Sequence, residues 1–99
     1  FKIKKFVEKI SIRYPNSKVG YITIKPSVER KNRLVDIKQI NHGVNLLVND
    51  FPNLIYVDVF DQLLEGGKVT SKFLLQDGLH LNKEGYKILT RAVKAKLKI

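Results

Sequence analysis

Asp77 and His80 stand three residues apart, with Gly78 between them and Asn82 just beyond. A carboxylate at that spacing can turn back and accept a hydrogen bond from the imidazole Nδ1–H. The bond would fix the ring tautomer and leave Nε2 free as a general base. Gly78 gives the turn its backbone freedom. The other histidine, His42, falls in the middle of a helical pattern, off its apolar stripe, and reads as a surface position. There is no cysteine, which excludes thiol catalysis, disulfides, zinc thiolates and iron–sulfur clusters. Of the serines, Ser27 follows a strand-like run and could line an acyl or alcohol pocket, although a turn role is simpler. Asp58 and Asp61 lack the partner set a metal needs. Gly66-Gly67 is not followed by Lys-Ser/Thr, so it is no phosphate loop. No metal or organic cofactor is implied.

The elements around the pair can be read from periodicity. Ile3, Phe6, Val7, Ile10 and Tyr14 recur at helical spacing and predict an amphipathic helix that stops at Pro15-Asn16. Val19 to Ile24 is a β-branched apolar run, expected to be a strand buried on both faces and broken by Pro26. Residues 28–33 are polar and read as a loop. Ile37, Ile40, Val44, Leu47 and Val48 predict a second helix from Val35 to Asn49. Leu54 to Val59 predicts a second buried strand, and Asp61 to Leu64 a single helical turn. A loop over 68–76 leads to Asp77. Asn82 is a good N-cap for a last helix from Lys83 to about Leu97, with Tyr86, Leu89, Ala92, Val93 and Leu97 on its apolar face. The order α-β-α-β-α implies parallel strands. Two parallel strands leave edges open, so the pattern looks like half of a doubly wound domain.

Length and charge set the bounds. Ninety-nine residues allow one small domain at most. No apolar run approaches the roughly 20 residues that span a membrane. The chain starts at Phe1 without a signal-peptide pattern, so it is expected to be a processed product or part of something longer. The formal charge of +10 invites a nucleic-acid or anionic-surface reading. Yet 15 of the 19 basic residues are Lys and four are Arg. They are spread at solvent-facing helical positions such as Lys2, Lys5, Lys9, Lys83, Lys87 and Lys94, and the aromatics do not interleave with them. A solvated cationic surface is the better reading, and no nucleic-acid partner is expected.

Asp-x-x-His alone is weak evidence, since composition produces one by chance roughly one time in ten. The longer string Asp77-Gly-Leu-His-Leu-Asn-Lys-Glu-Gly-Tyr86 is more specific. It resembles the last motif block of the SGNH (GDSL-like) hydrolases, the esterase family in which Asp-Gly-x-His precedes a helix start. Tyr21 to Ser27 is similar to that family's penultimate strand and proline loop. Phe51 to Val59 is similar to its last strand, and Leu64 to Lys68 with Phe73 to Leu75 to the lead-in to the His block. The likeness runs from about residue 19 to residue 93, with the opening helix also in place. It implies the C-terminal half of one flavodoxin-like three-layer αβα domain, spanning residues 1–99.

It further implies ester hydrolysis by a Ser-His-Asp triad, with His80 as the base and Asp77 as the acid that orients it. In the family the nucleophile lies in an N-terminal Gly-Asp-Ser block and the oxyanion asparagine in a Gly-x-Asn-Asp block. None of Ser11, Ser17, Ser27 or Ser71 follows Gly-Asp, and Asn49-Asp50 has no preceding Gly-x. The expected partners are an ester substrate (a small molecule, carbohydrate or lipid) and the missing N-terminal half. Alone, the 99 residues are expected to be inactive. Two rival readings stand beside this one. The chain could be a non-catalytic, self-associating fragment or degenerate family member, or a basic module for nucleic acid or anionic polymers. Acyl and alcohol specificity and compartment, cytoplasmic or exported, are open at this stage.

Overall fold

The computed structural model describes residues 2–98; Phe1 and Ile99 lie outside them. Helix α1 spans Lys2–Arg13, strand β1 Val19–Ile22, α2 Leu34–Leu47, β2 Leu54–Val57 and α3 Lys83–Leu97. Short 3₁₀ turns occupy Lys31–Arg33 and Asp61–Leu63. The strands are parallel, with Val19 opposite Leu54 and Ile22 opposite Val57. The chain is therefore a mixed α/β fold with a two-stranded parallel sheet.

Each face of the sheet has its own apolar cluster. On one side Val7 of α1, Val44 and Leu47 of α2 and Leu54 of β2 pack together, flanked by Val19, Tyr21 and Tyr56. On the other, Val57, Val59, Leu63, Leu74, Leu81 and Ala92 form a cluster joined by Ile55 and by Ile88, Leu89 and Val93 of α3. Burial of each such aliphatic side chain stabilises the fold by about 1.5–3 kcal/mol. Tyr21 and Tyr56, opposite each other on neighbouring strands, stack with ring centroids 5.9 Å apart.

Three expectations need correction. First, β2 is covered on both faces but β1 is not. Gly20 and Ile22 are exposed, Ile22 by 45%. The reason is that α3 packs over β2, and at Gly20 it comes close only through the tip of Leu97. Second, the strands end earlier than their apolar runs, because side chains take over the ladder. The Thr23 hydroxyl oxygen accepts hydrogen bonds from Val59 N–H (2.9 Å) and Phe60 N–H (3.1 Å). Asn41 of α2 does the same for Ile24. Its Oδ1 accepts from Ile24 N–H at 2.9 Å and its Nδ2 donates to Ile24 C=O at 3.1 Å. Third, the expected stripes overreach. Phe6, Tyr14, Ile40 and Tyr86 are exposed, since no element lies above that part of their helices. α1 also stops at Arg13, because the residue before a proline is driven out of helical geometry.

The chain is also spread out. Its radius of gyration is 14.5 Å, against about 13 Å for a compact domain of this length. Its accessible surface is 7108 Å², against about 5,800 Å² for a compact monomer of the same mass.

Candidate active site

Asp77 and His80 lie on a tight loop whose two ends are held in the core. Leu74 and Leu81 bridge each other across its base, and both are buried in the cluster beneath α3. Inside the loop, Leu75 N–H donates to His80 C=O at 2.8 Å and Gly78 N–H to Leu75 C=O at 3.0 Å. Gly78 takes φ +67°, left-handed backbone that a side chain disfavours. Two further restraints hold the loop. Glu29 N–H donates to Gly78 C=O at 2.9 Å, tying it to the segment after β1. Asn82, as the sequence suggests, caps α3 through Gly85 N–H at 2.9 Å, while its Nδ2 donates to Lys72 and Leu74 carbonyls. Gly85 belongs to the same packing. A β-carbon there would stand 2.5 Å from Phe73 C=O and 2.8 Å from Leu81 Cδ2.

At the tip, Asp77 uses both carboxylate oxygens. Oδ1 accepts from Leu79 N–H (2.9 Å) and His80 N–H (3.0 Å). Oδ2 lies 2.5 Å from His80 Nδ1. Since Oδ2 of an ionised carboxylate can only accept, the proton sits on Nδ1, and in the neutral ring Nε2 carries the free lone pair. The hydrogen bonds from His80 and from the two amides lower the Asp77 pKa to about 2. Asp77 is thus an anion throughout the neutral range and an orienting group. The imidazole is 67% exposed, open to a reacting group from outside. Lys25 lies within electrostatic range of Asp77; burial and the Arg30 charge lower its pKa, while Asp77 raises it.

The other sequence candidates fall elsewhere. Ser27 is buried, and its Oγ accepts from Arg30 N–H at 3.3 Å, the geometry of a turn residue. Asp58 accepts from Phe60 N–H at 3.0 Å and so finishes its own strand. His42 is exposed on α2, beside a shallow hollow it shares with Lys38, Asp58 and Asp61. Among the described residues no three of His, Asp and Glu gather to hold a metal ion. No described helix is long and apolar enough to cross a membrane. Thr23 and Asn41 were not singled out by sequence, since a lone polar residue in an apolar pattern does not reveal its partner. They position the loops at the strand ends.

No family model matches the chain, and no curated protein matches it either. Among solved structures, one described as "a putative platelet activating factor from Streptococcus pneumonia" superposes with a TM-score of 0.80. The two sequences are 24% identical, so the likeness is one of fold. The match covers 96% of this chain and 48% of the other, so the chain spans about half the length of that structure.

Proposed function

We propose that the chain is the base-bearing C-terminal half of an SGNH-type serine ester hydrolase of flavodoxin-like αβα architecture. The observation that carries this reading is the Asp77–His80 pair, with its ring oriented through Nδ1, Nε2 free and the imidazole exposed. The fold likeness to a chain about twice the matched length supports it, as does the string Asp77 to Tyr86.

In this reading a second half supplies the serine and the oxyanion donors. His80 Nε2 takes the serine proton as the hydroxyl oxygen attacks the ester carbonyl. Asp77 stabilises the imidazolium that forms, without itself taking the proton. The tetrahedral oxyanion is held by donors of the other half. His80 then passes its proton to the leaving alcohol. In the second stage His80 deprotonates water, which attacks the acyl-enzyme, and the serine recovers its proton as the acid departs. Platelet-activating factor, named in the description of the fold neighbour, is a phospholipid with an acetyl ester. Short acyl esters are therefore the first substrates to try.

The test joins this chain to a half that carries Gly-Asp-Ser and Gly-x-Asn-Asp blocks and measures p-nitrophenyl acetate hydrolysis. His80→Ala is expected to lower kcat/KM by about 10²–10⁴-fold with the fold intact. Activity within tenfold of the parent would rule His80 out as the base.

A further inference from the structure

We propose that the free edge of β1, with the groove beside it, is the seat of the complementary half. That partner is an α/β polypeptide of about the same size, and it adds a third strand to the sheet. Its identity rests on the reading above; its place rests on independent observations.

The first is the hydrogen-bonding phase of β1. In a parallel strand, alternate residues direct their amide and carbonyl to the same neighbour. Val19 N–H bonds Asn53 C=O and Thr23 N–H bonds Val57 C=O, so the odd-numbered residues face β2. Gly20 and Ile22 therefore turn their backbone groups to the open edge. Ile24, next in that phase, is already satisfied at both groups by the Asn41 amide, which stands where a strand would. The open edge thus has a built end, and an added strand finds two residues to pair with.

The second is the edge's sequence. Natural sheets protect edges with Pro, Lys or bulges. Val19-Gly-Tyr-Ile22 has none of these, and Ile22 is a half-exposed apolar side chain on the face that α3 leaves open. The third is the groove of about 560 Å³ floored by Ile24, Ile37 and Ile40, with Arg30, Arg33 and Asp36 on its rim. It lies on the opposite side of α2 from the hollow that faces β2, and so flanks the open edge.

The fourth is area. The surface of 7108 Å² exceeds that of a compact monomer by about 1,300 Å². A standard interface takes about 800 Å² from each partner, and obligate interfaces take more. Charge selects the occupant. With +10 on each chain, a second copy would set like charge against like, whereas a less basic partner would not.

The probe is the part of the Streptococcus pneumonia protein outside the matched 48%, co-expressed with this chain. A one-to-one complex is expected, in which amide exchange at Gly20 and Ile22 slows by about 100-fold relative to the chain alone. Ile22→Lys should weaken the complex by at least about tenfold. Tyr86→Lys, at a still more exposed position on α3, should leave it within about twofold. A complex that meets these marks but leaves p-nitrophenyl acetate intact keeps the seat and rejects the hydrolase reading. Failure to form a complex overturns the proposal, as does a complex in which the two amides exchange as before. A homodimer of the chain alone that protects them overturns it too, because the occupant is then a second copy.

Discussion

Replacing Asn41 with Ala removes three hydrogen bonds in one step. The side chain accepts from Tyr21 O–H at 2.9 Å and from Ile24 N–H at 2.9 Å, and donates to Ile24 C=O at 3.1 Å. Each bond contributes about 1 kcal/mol net. All three sites are partly buried, so water regains some of the loss in the variant. Against this, Ala is the better helix former by about 0.6 kcal/mol. The balance is a destabilisation of about 2 kcal/mol, or roughly 8–16 °C in Tm for a chain of this size. Asn45 provides an internal control, being the same residue type one turn later on α2 but exposed. Asn45→Ala receives the same helical gain and should stabilise by a few tenths of a kcal/mol. The assay is urea unfolding followed by circular dichroism, read as the difference between the two variants at unchanged m-value. If they fall within about 0.5 kcal/mol of each other, the amide is not clamping the end of β1. The seat argued for a third strand then loses its built end.

Two further outcomes are expected. Gly85→Ala should lower the Tm although Ala favours helices. A methyl 2.5 Å from Phe73 C=O must displace the backbone that leads into the Asp77 loop. Because the clash is with backbone, the cost falls in the upper part of the about 1–3 kcal/mol of overpacking, above the propensity gain of about 1 kcal/mol, so a rise in Tm would refute the packing. The Asp77 carboxyl should titrate near pH 2 when its side-chain carbon is followed by NMR. Because its pKa is lowered in the fold, its stabilising contribution is complete above the ordinary carboxylate range. It fades as pH falls from about 4 toward 2. A midpoint near 3.8 would mean that the bonds from His80, Leu79 N–H and His80 N–H do not form in solution.

Local order was legible in the residues. The helix after Asn82 begins where the cap residue stands and ends at Leu97, because capping is a hydrogen bond between neighbours in sequence. The Asp77–His80 bond was legible for the same reason: three residues and a glycine suffice to close it. Strand ends were not. Val19 to Ile24 reads as one strand, and nothing within it shows that Thr23 accepts from the Val59 amide 36 residues on, or that Asn41 holds Ile24 from 17 residues away.

By itself, the sequence determined the helices and the Asp77–His80 hydrogen bond from contacts a few residues long, and the parallel order from the alternation of helices and strands. Only the tertiary structure decided which apolar positions are covered. Phe6, Ile22 and Ile40 have the same apolar character as Val7, Val57 and Ile37, yet they remain exposed where no element packs above them. Burial depends on what arrives from elsewhere in the chain or from a partner. The pattern within a helix or strand records a preference for burial, and packing decides whether that preference is met.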